Sequence, residues 1–178
     1  PIEGPKFSPD GKRIAYIGHA NPRDAWGVTN LHVLVVGVAG RAGAHDLMPR
    51  FDRMAVEQSI NDTCDSHDSA HLEWSADGRR IFFACGDTGT VNLFSVPGRG
   101  GRPTRLYGGQ CHIRNFSVNG RTSRAAIVLA DLRNPGEIVT CPLTYGAEKR
   151  ARRHTDLNPF LVREVEPSKM REVWFRSL

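Results

Sequence analysis

The chain has 178 residues, of which 24 are Lys or Arg and 19 are Asp or Glu, so its formal net charge is +5. This length suits one domain or part of one. No apolar run approaches the roughly 20 residues that a membrane-spanning helix needs, so we expect no membrane partner. Because the sequence lacks an initiator Met, we expect that an N-terminal stretch was removed or that Pro1 lies within a longer chain.

The basic residues do not form a nucleic-acid motif. They are spread along the chain, and the one dense cluster is Lys-Arg-Ala-Arg-Arg-His at 149–154. A short run of charges is usually a solvated face. We therefore expect no nucleic-acid partner.

The four cysteines are widely spaced. Each of Cys64, Cys85, Cys111 and Cys141 lies more than 20 residues from the next, which excludes paired Cys-x-x-Cys metal sites. Four cysteines are also too few for a disulfide scaffold in a chain of this length. We expect free thiols, no metal or other cofactor, and a reducing, cytoplasmic location.

Short runs of β-branched and aromatic residues predict an all-β chain, because Gly, Pro, Asn and Asp clusters separate them and no long helical stripe is present. In chain order the predicted strands are residues 13–17, 31–36, 80–85, 90–96, 103–106, 112–116, 125–130 and 137–141.

An internal repeat joins these strands. The pattern aromatic-Ser-x-Asp/Asn-Gly-Lys/Arg occurs at residues 7–12, 74–79 and 116–121. It predicts a hairpin in which the aromatic residue ends one strand in the core and Gly takes a positive φ, with Asn in the third copy suiting a type I′ turn. The positions expected to build these turns are Ser8, Asp10, Gly11, Ser75, Asp77, Gly78, Ser117, Asn119 and Gly120.

The spacing of the copies predicts a partial β-propeller of about three to four four-stranded blades. The second and third copies begin 42 residues apart (116 − 74), the length of one blade, and we expect the strands at 80–85, 90–96, 103–106 and 112–116 to form that blade. The first two begin 67 residues apart (74 − 7), so we expect about 25 extra residues, divided between loops at 19–29 and 51–69. Long loops of this kind often carry function.

Several segments together resemble the propeller of the prolyl oligopeptidase family of serine peptidases, in particular its acylaminoacyl-peptidase and dipeptidyl-aminopeptidase branch. Residues 7–16 look like a blade start and 31–36 like a second strand, and 100–106 look like the blade end Gly-Gly-x-Pro-x-x-Leu. Residues 153–158 are similar to a Leu-Thr-x-Leu-Asn element, and 173–177 resemble the strand that leads into the hydrolase domain.

The resemblance implies that residues 1–178 are the C-terminal blades of a propeller that is covalently linked to an α/β-hydrolase domain, gates access of peptide or acyl-peptide substrates and docks the hydrolase. Two residues depart from the pattern, namely His154 in place of Leu and Asn119 in place of Asp. None of the ten Ser residues lies in Gly-x-Ser-x-Gly, so we expect no activity from this chain alone.

Other clusters have less specific interpretations. His19, Asp24, Trp26 and His32 surround the first long loop, and we consider them candidates for substrate access or contact with the hydrolase domain. The group Asp62, Cys64, Asp65, His67 and Asp68 is expected to be a polar surface loop rather than a metal site. The aromatic residues expected in the propeller core are Trp74, Phe82, Phe83, Phe94 and Phe116.

Two alternatives to the peptidase remain open. One is a non-enzymatic, Tol-type binding propeller that presents loops to a protein partner, and the other is a truncated gene product. Because so few blades leave strand edges unpaired, we expect the 178 residues alone to aggregate or form an oligomer.

Overall fold

The computed structural model describes residues 2–19, 30–39, 43–57, 71–165 and 171–176. The first sheet, unit 1, contains four sequential antiparallel strands. They are β1 (Ile2–Phe7), β2 (Arg13–Gly18), β3 (His32–Gly37) and β4 (His45–Asp46). This first sheet agrees with the predicted all-β fold.

Unit 2 repeats the same arrangement. Its strands are β5 (Leu72–Trp74), β6 (Arg80–Asp87), β7 (Thr90–Pro97) and β8 (Thr104–Tyr107), each antiparallel to the next. Both faces of this sheet are covered. Phe83 on β6 packs toward unit 1 and its neighbour Phe82 packs toward the third sheet, since side chains alternate along a strand.

Unit 3 consists of β9 (His112–Asn119), β10 (Arg124–Ala130), β11 (Glu137–Pro142) and β12 (Arg152–Arg153). A single parallel bridge between Val91 and His112 joins it to unit 2. A one-turn 3₁₀ helix (Ala147–Arg150) precedes β12, and the short helix α1 (Pro159–Glu164), with Pro159 in its first turn, follows it.

The sheets and the sequence repeat are out of phase by one strand. Residues 112–116 were expected to complete the unit that begins at residue 74, but β9 forms seven register pairs with β10 and only the one bridge with β7. The aromatic residue of each repeat therefore lies in the first strand of a unit, and the turn of the repeat connects that strand to the second.

The predicted aromatic core is confirmed. Two apolar clusters fill the spaces between neighbouring units, one between units 1 and 2 and one between units 2 and 3. All five aromatic residues proposed for the core are buried, namely Trp74, Phe82, Phe83, Phe94 and Phe116. The apolar runs of unit 2 are continuous because each of its faces packs against another sheet.

The first two turns are near copies of each other. In the first, Ser8 Oγ donates to Asp10 Oδ1 over 2.6 Å and accepts from the Arg13 amide over 3.0 Å. In the second, Ser75 makes the same two bonds, over 2.6 and 2.9 Å. In each turn the bond from the Ser hydroxyl is the main cause of a lowered pKa of the Asp carboxyl, and a bond from the Lys12 or Arg79 amide adds to it.

Glycine has the predicted backbone conformation in these two turns but not in the third. Gly11 and Gly78 have φ of 68° and 64°, values that are costly for a residue with a Cβ. The third loop spans four residues between β9 and β10, and its left-handed residue is Ser123, at φ 49°. The positive φ expected at Gly120 and the type I′ turn expected at Asn119 were therefore wrong, because Asn119 ends the strand and accepts the Arg121 and Thr122 amides.

One aromatic residue of the repeat is not in the core. Phe7 was expected to be buried, yet it is 65% exposed. The indole N–H of Trp74 donates to the Lys6 carbonyl of unit 1, and Phe116 lies edge-on to His71, which precedes β5. Each buried aromatic residue is thus covered by the preceding unit, and no unit precedes Phe7 in the described part of the chain.

Candidate functional site

Four histidines lie at one end of the three units, opposite the repeated turns. His32 begins β3 and pairs with Gly18 at the end of β2, which places His19 beside it. His71 comes directly before β5, and His112 begins β9. We call this surface, defined by His19, His32, His71 and His112, the histidine end.

His32 is held by two acceptors. Its Nδ1 lies 2.8 Å from Asp46 Oδ2, and its Nε2 lies 3.0 Å from the carbonyl oxygen of Phe51. Both partners are oxygen acceptors, one on each side of the ring. His32 therefore fixes the segment after β4 against the start of β3.

The other three histidines differ in their surroundings. His71 Nε2 lies 3.3 Å from Glu73 Oε1, a contact that is the main cause of the lowered pKa of Glu73. His112 Nε2 lies 3.4 Å from an oxygen of the buried Glu57. Both ring nitrogens of His19 are buried without a hydrogen-bond partner among the described residues. A buried polar ring without a partner is unusual.

The structure brings together two of the four residues proposed for substrate access or interdomain contact. His19 follows β2 and His32 begins the neighbouring strand β3, at the same end of the sheet, whereas Asp24 and Trp26 lie outside the described residues. The polar cluster at residues 62–68 also lies outside them. Within the described ranges, no three His, Cys, Asp or Glu side chains are placed to bind one metal ion.

A second feature, which sequence reasoning missed, centres on Glu137. One of its oxygens accepts from Arg153 Nη2 over 2.6 Å and from the Leu157 amide over 3.0 Å, and the other accepts from the hydroxyl of Thr155. Burial opposes ionisation, but these bonds and one from Asn134 lower the pKa of Glu137 to about 2.

Glu137 thereby fixes the segment that resembles the Leu-Thr-x-Leu-Asn element. Thr155 Oγ1 also accepts the amide of Ile138, and the His154 amide donates to the carbonyl of the same residue. The available sequence signal was an acidic residue at the start of an apolar strand. The segment is thus held against β11 before the chain turns into α1.

The basic run at residues 149–154 is solvent-exposed apart from Ala151, as predicted. Arg153 is half-exposed because its guanidinium reaches Glu137 and Asp156. Arg150 donates to Thr144 Oγ1 over 2.6 Å. The run is therefore a solvated face, and one of its members also holds the C-terminal segment.

The described cysteines are free thiols in apolar surroundings. Cys85 and Cys141 are buried, and Cys111 is partly buried. Burial raises the pKa of Cys85 to about 12 and the pKa values of Cys111 and Cys141 to about 11. Such thiols are not ionised near neutral pH and pack as small apolar groups.

A strongly apolar segment follows α1. Val173, Trp174 and Phe175 have exposed fractions of 76%, 79% and 86%. Three adjacent large apolar side chains in water are costly, and such patches usually mark contact surfaces. As for membranes, the described helices include none with the length and apolar character that crossing a bilayer requires.

Comparisons with known proteins identify the fold. No protein-family model matches the sequence, and no curated protein does. Among solved structures, the chain is similar to an acylaminoacyl peptidase from Pyrococcus horikoshii, with a TM-score of 0.59 and 16% identity over 88% of this chain and 20% of that one.

Two further solved structures are similar as well. The β-propeller domain of the Trilobed protease from Pyrococcus furiosus has a TM-score of 0.54 and 18% identity over 84% of this chain and 38% of that one. A putative TolB from Agrobacterium tumefaciens has a TM-score of 0.56 and 15% identity over 85% of this chain and 47% of that one. The chain spans less than half of each of these structures, and its fold is that of a β-propeller.

Proposed function

We propose that this chain is the non-catalytic propeller segment of a serine peptidase that hydrolyses peptides or acyl-peptides. In this proposal the segment forms the C-terminal blades, restricts substrate access and docks a covalently linked α/β-hydrolase domain in the cytoplasm. The observation that carries it is the C-terminal segment: Glu137 holds the element at 153–158 against β11, and an exposed apolar stretch follows at 173–175.

The contacts between units support a larger ring. The guanidinium of Arg13 donates to the carbonyls of Gly98 and Gly78 and lies 4.9 Å from the Trp74 ring, so it joins unit 1 to unit 2. The matching surface of unit 1, around Phe7 and Gly11, is open. A further unit with an Arg in this position would cover Phe7 as Arg13 covers Trp74.

The histidine end supports the docking part of the proposal. It lies where the two long loops begin, and His19 has buried ring nitrogens that make no hydrogen bond within the described residues. A hydrolase domain seated on this end would enclose the peptide path between the two domains. His19 and His32 remain the candidates for that contact, with His71 and His112 beside them.

A binding propeller is the second candidate, favoured by the similarity to the putative TolB. The coding sequence downstream of these 178 residues distinguishes the peptidase from the binding propeller. The peptidase proposal predicts an in-frame downstream region of roughly 250 residues that contains Gly-x-Ser-x-Gly. A reading frame that ends shortly after Leu178, or continues without that motif, would favour the binding propeller or a truncated product.

A further inference from the structure

A large groove lies at the junction between units 1 and 2. Its volume is about 970 Å³. One wall is the segment at residues 45–53, which continues from β4, and the other is the connection at 99–105, which leads into β8. The Gly101 amide donates to the Leu47 carbonyl over 2.9 Å and joins the walls. The groove is therefore built by contact between two units.

Five arginines line this groove. Arg53 pairs with Asp87, and Arg53 Nε lies 2.8 Å from Asp87 Oδ1. The other four are exposed and have no hydrogen-bond or ion-pair partner within the described residues, and they are Arg50, Arg99, Arg102 and Arg105. We call the five together the arginine rim.

The acidic residues of the groove do not neutralise the rim. Asp87 is paired with Arg53, and Asp46 accepts from the Met48 amide over 2.8 Å while its second oxygen faces His32. Arginine presents donors in a planar fork that matches a carboxylate. Four such forks without partners at one concave site favour a ligand that carries several carboxylates.

The floor of the groove is apolar. Leu47, Met48 and Phe94 are buried, and Phe51 lies edge-on to Phe94 with ring centroids 5.5 Å apart. A ligand that carries charge alone would leave this floor unused. An acidic chain with an apolar side chain uses both the rim and the floor.

We propose that this groove binds a short acidic peptide segment, whose Asp or Glu carboxylates pair with the arginine rim and whose apolar side chain packs on Phe51. A single-stranded nucleic acid fits less well, because its bases stack on exposed aromatic rings. The aromatic rings of this groove, Phe51 and Phe94, are partly and fully buried in its floor. The inference is independent of the peptidase proposal, since it requires only the junction of units 1 and 2.

The test uses the full chain and fluorescence anisotropy with the labelled peptide Glu-Glu-Phe-Glu-Glu-Leu. The double variant Arg50→Glu/Arg102→Glu alters two exposed rim side chains that make no hydrogen bond or ion pair within the described residues. The matched control Arg121→Glu/Arg152→Glu changes the net charge equally at exposed positions outside the groove. Circular dichroism verifies that all variants are folded, and Arg99→Gln/Arg105→Gln is a second, milder rim variant.

We expect the rim variant to weaken binding by at least about tenfold, which is about 1.4 kcal/mol at 25 °C, because the charge-assisted hydrogen bonds to two arginines are lost. The control should change affinity by less than about twofold, because exposed charges outside the site act weakly. Replacing Phe by Ala in the peptide should weaken binding by several fold through loss of contact with the floor.

Three results would overturn the proposal. The first is no measurable binding to the unaltered chain at 50 mM salt. The second is an equal loss of affinity in the rim and control variants, which would indicate attraction by net charge alone. The third is displacement of the peptide by a single-stranded oligonucleotide at lower concentration than by unlabelled peptide, which would assign the groove to nucleic acid.

Discussion

Arg13 is the side chain that most directly joins two units, so its removal tests how the fold is held together. Its two terminal nitrogens each donate over 2.9 Å, one to the Gly98 carbonyl and one to the Gly78 carbonyl. Its guanidinium carbon lies 4.9 Å from the Trp74 ring centroid. The substitution Arg13→Ala removes all three contacts at once.

We expect Arg13→Ala to lower the free energy of unfolding by about 3.5 kcal/mol, taking about 1.5 kcal/mol for each of the two hydrogen bonds from the charged donor and about 0.5 kcal/mol for the cation–π contact. The matched control is Arg79→Ala. The Arg79 side chain is 85% exposed and lies 3.7 Å from Asp77, so its removal should change stability by less than about 0.5 kcal/mol.

Urea unfolding of the full chain, followed by circular dichroism, measures both variants at one protein concentration, after sedimentation has verified that they share the same oligomeric state. The urea concentration at the midpoint should fall for Arg13→Ala. The dependence of the unfolding free energy on urea concentration should change little, because unfolding exposes a similar surface area. Equal midpoints for the two variants would refute the reasoning, since they would show that the Arg13 contacts do not hold unit 1 to unit 2.

Three further predictions concern the contact between turns, Glu137 and the thiols. Gly120→Ala places a Cβ 2.6 Å from the Cβ of Ala76 and should cost about 1–3 kcal/mol, with partial rescue by Ala76→Gly in the same chain; urea unfolding without rescue would contradict that contact. The depressed pKa of Glu137 contributes stability that is fully present above its usual pKa of 4.5 and is lost as the pH falls to about 2. Glu137→Gln should therefore reduce the fall in the free energy of unfolding between pH 4.5 and pH 2. The same pH dependence in the variant would argue against the Glu137 network. Cys85, Cys111 and Cys141, whose pKa values are about 12, 11 and 11, should react with a thiol reagent at pH 8 only after unfolding, and rapid labelling of the folded chain, mapped by mass spectrometry, would show that they are accessible thiolates.

The β-strands and their repeat were readable from the sequence because both depend on local patterns. The alternation along β6 and the Ser-x-Asp-Gly turns involve residues only a few positions apart, and the hydrogen bonds of Ser8 and Ser75 repeat to within 0.1 Å. The third turn departed from the prediction because Asn119 extends the strand β9 by pairing with Arg124.

The candidate sites were harder to predict because their residues are distant in sequence. Phe7 has the same local motif as Trp74, yet its burial depends on whether another unit lies against it. The Glu137 network joins residues up to 20 positions apart, and the arginine rim combines residues 50–53 with 99–105. Neither arrangement has a periodic signature, because both depend on how segments pack.

The central claim is that these residues are the propeller segment of a serine peptidase. A fluorophosphonate probe, which labels activated serines, tests it directly on the full-length gene product, with the labelled peptide mapped by mass spectrometry. The account predicts one labelled Ser, located in Gly-x-Ser-x-Gly outside residues 1–178. No labelling of folded full-length protein beside a labelled control hydrolase, or a labelled Ser within residues 1–178, would contradict it.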